Sequence, residues 1–295
     1  MLDCMTISEL SKISGLHWHT IKEIEKQYLV KKYKHVPMKN VKYLAIDEFS
    51  VRKGHKYMTV VMNWQTGQVL YVGLGRASEV LDVFWKKIKR WKSVIKAVAM
   101  DMWPAYIKSV TEHLPNAAIV YDWFHVVKMV NQGIDKLRRK LYTDELSLQQ
   151  RKVLKGSRWI LLKRGYNLNE NRNEYDRLQE ALNLNKPLAT AYYLKEDLTQ
   201  LWSYPNKKSA MQFLEKWCQR ARESNITILL KLANTIARAR TGLLAWYDHP
   251  ISTGPLEGLN NKIKVLKRKA YGYRDLDYFK LKILDLHNTR YPLLR

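Results

Sequence analysis

Two short apolar runs that each end in an aspartate set the strongest constraint on how this chain folds. Residues 41–46 precede Asp47, and residues 95–100 precede Asp101. Apolar runs of this length are typical of buried strands. A carboxylate at the end of such a strand is costly unless something pairs it. Taken singly, each aspartate is more often a turn former or a helix cap, but together they indicate a shared site.

The order of the surrounding elements predicts an α/β fold. The predicted elements are strands at 42–48, 56–64 and 68–74, a helix at about 78–91, a strand at 95–100, a helix that starts near Pro104, and a strand at 117–121. Hairpin strands followed by helical crossovers imply a mixed sheet with flanking helices. That order permits Asp47 and Asp101 to lie on neighbouring strands.

The N-terminal residues predict a pair of short helices. Thr6 and Glu9 have the spacing of a capping box, and Gly15 separates the two helices within residues 6–29. This outline is that of a partial helix-turn-helix, whose second helix can enter the major groove of DNA. A plain helical hairpin is the alternative. Residues 31–40 are polar and basic and are interpreted as a linker.

The second half of the chain is predicted to be helical and basic. Residues 126–240 contain 23 Lys and Arg against 11 Asp and Glu. This pattern predicts a separate helical subdomain with a loop at 165–173, and its core tryptophans are expected at positions 159, 202, 217 and 246. Residues 249–255 interrupt the helices, and a final helix pair is expected from about 256 to 290.

The composition narrows the partner. A formal net charge of +25, from 52 Lys and Arg against 27 Asp and Glu, favours nucleic acid over ribosomes or acidic lipid. The two cysteines, Cys4 and Cys218, are far apart, which argues against a disulfide framework or a zinc ribbon. No apolar run is long enough for a membrane span, and no secretion signal is present, so a cytoplasmic location is expected.

Glu257 supplies a third acid at the start of a basic helix. Phosphoryl transfer at a two-metal site needs several carboxylates that converge on the cations, and Mg²⁺ prefers oxygen ligands. Asn260 and Lys264 share one helical face with Glu257, so both are predicted to contact DNA, and Lys264 can reach a phosphate beside the metal site.

The segment 262–269 continues this helix as an amphipathic stretch. Ile263 and Leu266 are expected to face inward, while Lys267 and Arg268 lie outside. Such a surface suits contact with DNA phosphates, which positions the duplex without reading its sequence. An ordinary solvated basic face is the alternative.

Four segments, taken in order, resemble the DDE transposases of bacterial insertion sequences, and most of all their ISL-three family. They are residues 44–49, 97–104, 120–126 and 252–264. The resemblance implies an RNase H-like core, interrupted by an α-helical insertion, that cuts DNA and transfers strands in DNA transposition. It also implies that Asp47, Asp101 and Glu257 are the catalytic triad.

The same resemblance implies the cofactor and the partners. The triad is expected to hold two Mg²⁺ ions, for which Mn²⁺ can substitute. The expected partners are double-stranded DNA, as the terminal inverted repeats of the element and as the target, and further copies of the chain in a homo-oligomer on DNA. Lys264 corresponds to the basic residue that such families place after the glutamate.

Asp122 and His125 form an Asp-x-x-His motif that resembles a signature of transposases with a helical insertion after the fifth strand. His125 is predicted to contact DNA or to order the active site, with a structural histidine as the alternative. Asp122 also ends a strand, so it competes with the proposed triad. Glu48 is the other competitor, and strand alternation should point it away from Asp47.

The predicted domains are a partial helix-turn-helix at 1–35, a first catalytic part at 41–125, a helical insertion at 126–248 and C-terminal catalytic helices at 249–295. The chain lacks the cysteine-rich segment that usually precedes the core in this family, so a truncated copy is expected. Two alternatives to an active transposase follow. One is a nuclease of the same fold, and the other is a non-catalytic DNA-binding derivative that occupies element ends.

Overall fold

The computed structural model describes residues 5–35, 38–52, 56–143 and 147–286. The chain forms two compact units, one made of Met1–Val120 and Ile251–Arg295 and the other of Tyr121–Pro250. Cys4 lies outside the described residues. Within the described part of the chain, no helix is both long and apolar enough to span a membrane.

A five-stranded mixed sheet organises the first unit. Its strands are β1 (Tyr43–Arg52), β2 (Lys56–Asn63), β3 (Val69–Leu74), β4 (Ala97–Met100) and β5 (Ala118–Tyr121). They are ordered β3-β2-β1-β4-β5, with β2 antiparallel to both β1 and β3 and with β4 parallel to β1. The predicted mixed α/β sheet is therefore confirmed.

The α-helices of the described residues are α1 (Ile7–Ser14), α2 (Trp18–Lys32), α3 (Asp82–Lys87), α4 (Pro104–His113), α5 (Trp123–Thr143), α6 (Leu148–Gly156), α7 (Arg158–Leu162), α8 (Glu174–Asn183), α9 (Lys186–Leu198), α10 (Lys207–Glu223), α11 (Thr227–Leu244), α12 (Gly254–Lys269) and α13 (Leu276–Asp285). The helix predicted at 78–91 is shorter than expected. Residues Ser78–Leu81 form a 3-10 turn, and α3 ends at Lys87. The spacing of the apolar residues predicts which face is buried. Here that face is buried although the segment is not one continuous α-helix.

The N-terminal helix pair is anchored to the C-terminal helix α13. The Thr6 hydroxyl accepts from the Glu9 amide at 3.2 Å, and this capping box starts α1. In α2, Lys22 and Lys26 each lie 2.8 Å from the Asp275 carboxylate, which precedes α13. Burial tends to raise the pKa of Asp275, but the hydrogen bonds from these lysines outweigh it and lower that pKa. The helix pair α1–α2 thus packs as part of the first unit.

In the described part of the second unit, helices and the loops between them follow Tyr121, the last residue of β5, and no further strand occurs. Its core includes Trp217, whose indole N–H donates to the Leu194 carbonyl at 2.7 Å. The expectation that Trp159 is a core residue is wrong, because its side chain is 68% exposed. Trp202 and Trp246 are half-buried. Helical periodicity did not distinguish these positions.

Candidate active site

The sheet register brings Asp47 and Asp101 together. In the parallel ladder between β1 and β4, Ala45 pairs with Ala99. Two residues further along both strands, Asp47 of β1 lies opposite Asp101, which is the first residue after β4. Neighbouring strands lie about 4.8 Å apart, so the two aspartates are neighbours across the sheet.

Hydrogen bonds orient both carboxylates. Asp47 accepts from the Glu48 amide at 2.8 Å with one oxygen and from the Asn260 side-chain amide at 2.9 Å with the other. Asp101 accepts from the Trp103 amide at 3.1 Å, immediately before Pro104 opens α4.

Helix α12 carries Glu257 one turn before Asn260. The bond from Asn260 to Asp47 fixes that part of α12 beside β1, while Glu257 itself is exposed. Among the described residues, no three His, Cys, Asp or Glu side chains form a group that could hold a metal ion. The structure therefore pairs the two aspartates but does not assemble all three acids as a closed ligand set.

The basic residues of α12 occupy different environments. Lys264 and Arg268 are exposed, and the Lys264 ammonium donates to Asn261 at 3.2 Å. Lys267 is half-buried and donates to the Ser50 carbonyl of β1 at 3.1 Å, and burial lowers its pKa. Lys264 and Arg268 are thus the more accessible of the predicted phosphate contacts. Ile263 is buried as expected, and Leu266 is half-buried.

Glu48 is a third acid that acts on the same site. It pairs with Thr59 in β2, and the Thr59 hydroxyl lies 2.9 Å from the Tyr106 hydroxyl of α4. Burial, together with the nearby charges of Asp101 and Asp47, raises the pKa of Glu48 to about 7. The Arg76 charge and a hydrogen bond with Tyr106 oppose that shift. Glu48 points to the α4 side, as alternation predicted, yet it stays within the electrostatic reach of both aspartates.

Arg76 is a site residue that sequence reasoning missed. Its guanidinium lies 4.4 Å from the ring centre of Tyr57 and 4.7 Å from that of Trp103. The Trp103 indole N–H also donates to the Arg76 carbonyl at 3.0 Å. No local sequence pattern marks this contact, because the three residues come from separate segments of the chain.

Replacing Glu48 with glutamine is expected to stabilise the metal-free protein at alkaline pH by about 2 kcal/mol. A pKa raised from 4.5 to about 7 corresponds to about 3.5 kcal/mol, at about 1.4 kcal/mol for each pH unit, and solvent screening of this half-buried side chain reduces that to about 2 kcal/mol. The unfolded carboxyl ionises near pH 4.5, whereas the folded one resists ionisation up to about pH 7. The wild-type free energy of unfolding should therefore fall as pH rises between these values, and Glu48→Gln should flatten that fall. Urea unfolding in EDTA at pH 5 and pH 8 measures the free energy of unfolding of the wild type and of Glu48→Gln. Equal stabilities of the two proteins at pH 8 would contradict this prediction.

Asp122 and His125 lie at the start of the second unit. Asp122 is buried, and its carboxylate accepts from the Phe124 amide at 2.9 Å, as an N-cap of α5 does. The His125 ring nitrogen lies 3.8 Å from the other Asp122 oxygen. The motif thus forms a local pair that opens α5. This arrangement suits both interpretations of His125 that the sequence left open.

Comparison with known proteins identifies the family. A family model for DDE transposases of the ISL-three type, described as transposase, matches residues 44–283. The transposase for insertion sequence element IS1001 of Bordetella parapertussis is 39% identical over 96% of this chain and 70% of its own length. The transposase for IS1557 of Mycobacterium tuberculosis is 27% identical over 91% of this chain and 64% of its own length. Among solved structures, the Drosophila P element transposase strand transfer complex matches this chain at a TM-score of 0.43 and 11% identity, and the match covers 90% of this chain and 81% of that chain.

The chain is thus a transposase by class, and it belongs to the ISL-three family of insertion-sequence transposases. It spans about two thirds of the length of the curated relatives that it matches.

Proposed function

We propose that this protein is a DDE transposase that cuts DNA at the ends of an insertion sequence and joins those ends to target DNA. The catalytic residues are Asp47, Asp101 and Glu257. The observation that supports this most is the register of the sheet, which sets Asp47 opposite Asp101 on neighbouring parallel strands. The strand order β3-β2-β1-β4-β5 supports an RNase H-like core for the same unit.

The acids around β1 fit a divalent cation such as Mg²⁺ or Mn²⁺. Asp47, Asp101 and Glu48 place negative charge in a partly buried site, where burial first, and then repulsion from the two aspartates, raises the pKa of Glu48. Cations would relieve it. Mg²⁺ is usually held by one or two protein carboxylates together with waters and substrate phosphates, so two oriented aspartates suffice for its first contacts. When bound, the metal ions activate the attacking oxygen and stabilise the leaving one.

The reaction needs two exchanges of phosphodiester bonds. In the first, a water oxygen bonds to phosphorus at the element end, the bond from phosphorus to the 3′ oxygen breaks, and a 3′-hydroxyl is freed. In the second, the oxygen of that 3′-hydroxyl bonds to a phosphorus of the target DNA, the bond from this phosphorus to the target 3′ oxygen breaks, and a target 3′-hydroxyl is released. Each step exchanges one phosphorus–oxygen bond for another, so no external energy source is needed.

The remaining residues of the proposed site hold the DNA and the acids. Asn260 keeps Asp47 oriented through its 2.9 Å hydrogen bond, and Lys264, Lys267 and Arg268 contact phosphates of the duplex. In the second unit, Asp122 orders the start of α5, where His125 contacts DNA. The helix pair α1–α2 contributes to binding of the terminal repeats. The protein acts in the cytoplasm as a homo-oligomer that holds two DNA ends.

A joining assay with purified protein tests this function. The substrate is labelled duplex DNA made from the sequences that flank the gene, with a supercoiled plasmid as the target. Joined products are expected with Mg²⁺ or Mn²⁺ and not with EDTA. Binding of the flanking duplex without cleavage or joining would instead support the non-catalytic derivative. Cleavage without joining would support a nuclease of the same fold.

A further inference from the structure

The second unit exposes several aromatic side chains around one arginine. Tyr166 is 75% exposed, Phe124 is 51% exposed, and Trp123 is 39% exposed. Single exposed aromatic residues are common on protein surfaces. These residues are different because Arg164 links two of them, and Trp123, Phe124, Arg164 and Tyr166 are together called the Arg164 cluster here.

Arg164 contacts two of the aromatic side chains in the cluster, Trp123 and Tyr166. Its guanidinium lies 5.5 Å from the ring centre of Trp123 and 5.7 Å from that of Tyr166, both within the range of cation–π attraction. It also donates to the Tyr166 hydroxyl at 2.8 Å. The half-buried ring of Trp202 lies 6.4 Å from Trp123 and supports it. Flat side chains that are already ordered bind a partner at a lower entropic cost.

The charge of Arg164 is available to an anionic partner. Among the described residues, no carboxylate lies within ion-pair distance of its guanidinium. The neighbouring Glu196 is bound to the Lys195 ammonium at 2.8 Å and to the Gly165 amide at 3.0 Å. The surrounding sequence, with 23 basic against 11 acidic residues between 126 and 240, adds positive potential.

We propose that the Arg164 cluster binds unpaired bases of single-stranded or locally opened DNA. Nucleobases stack on aromatic rings and on the guanidinium plane of arginine, and phosphates are drawn to its charge. A closed duplex hides the faces of its bases, so a surface that binds duplex through its phosphates needs positive charge but no exposed aromatic rings. The combination of exposed rings with an arginine that has no carboxylate partner among the described residues therefore fits strands whose bases are accessible.

Binding of a labelled oligothymidine and of a duplex of equal length, measured by fluorescence anisotropy in EDTA, tests the proposal. Tyr166→Ala should weaken oligothymidine binding by about ten-fold or more, in line with the effect of removing one stacking ring, and should leave duplex binding unchanged. Tyr166→Phe keeps the ring and should bind like the wild type. Arg164→Lys keeps the charge but loses the planar group, so it should weaken oligothymidine binding more than duplex binding.

Trp159→Ala is the matched control. Trp159 is exposed in the same unit and stacks on Arg158 at 4.7 Å, yet no ring contact in the described residues joins it to the Arg164 cluster. Its replacement should change neither affinity. Equal losses from Trp159→Ala and Tyr166→Ala, equal losses for oligothymidine and duplex, or no loss from Tyr166→Ala would each overturn the proposal. Asp101→Asn should retain oligothymidine binding, so a failure of the catalytic proposal is distinguishable from a failure of this one.

Discussion

Asp47→Asn and Asp101→Asn are each expected to reduce strand transfer by about a thousand-fold, because a metal ion contributes several kcal/mol of transition-state stabilisation and each 1.4 kcal/mol is worth about ten-fold in rate. The amide preserves the size of the side chain. In Asp101→Asn, the amide oxygen can still accept from the Trp103 amide. In Asp47→Asn, the single amide oxygen can keep the hydrogen bond from Asn260 or the one from the Glu48 amide, but not both. The lost property is the charge that would hold a cation. DNA binding should therefore persist while joining is lost, which a gel-shift assay beside the joining assay would measure.

A matched control separates this effect from a general loss of negative charge. Asp277 lies in the same unit, is exposed, and contacts only the Lys280 side chain at 3.1 Å among its described ion pairs. Asp277→Asn should join DNA at the wild-type rate. A similar loss of joining in Asp277→Asn would mean that the assay responds to something other than the site.

Glu257→Gln tests the third member of the proposed triad. The residue is exposed on α12, one turn before the Asn260 that contacts Asp47. We expect joining to be lost as in the two aspartate variants. If Glu257→Gln were active while Asp122→Asn were inactive, Asp122 would be the third acid instead.

The pairing of Asp47 with Asp101 could be predicted from the sequence because it depends on topology alone. Two apolar runs, a hairpin pattern and a helical crossover leave few ways to arrange the strands, and the acids follow from their places in those runs. The capping box of α1 was predictable for a similar reason, since Thr6 and Glu9 contact each other within one turn.

The environments of Glu48, Arg76 and Arg164 could not be predicted in this way. The pKa of Glu48 depends on how deeply α4 buries it, and the stacking of Arg76 joins three segments that are distant in sequence. Periodicity shows which residues share a face of a helix. It does not show whether another element covers that face. For this reason the sequence predicts Trp159 in the core and does not predict the Arg164 cluster.

Asp135→Ala is expected to destabilise the second unit by about 3–5 kcal/mol, because removing one partner of a buried ion pair leaves the other charge uncompensated. Asp135 and Arg138 are both more than nine-tenths buried in α5, and the Arg138 guanidinium donates to the carboxylate at 2.7 and 3.0 Å. Arg139 lies 2.9 Å from the same carboxylate, and Arg158 lies 3.6 Å from it. Helix α5 begins at Trp123, so unfolding of α5 would also disturb the Arg164 cluster.

Urea unfolding of three variants separates the contributions to this site. Asp197→Ala, which removes a more exposed pair with Arg220 in the same unit, should cost less than about 1 kcal/mol. Adding Arg138→Met to Asp135→Ala should recover much of the stability, because apolar replacement of a buried ion pair is often nearly neutral.

Burial tends to raise the pKa of Asp135, but the arginines outweigh it and lower that pKa. The wild-type advantage over Asp135→Ala should therefore be present above about pH 4, the usual range of an aspartate, and should shrink as the pH falls below it. A loss for Asp135→Ala no larger than that for Asp197→Ala would show that the buried charge is not what holds α5 in place.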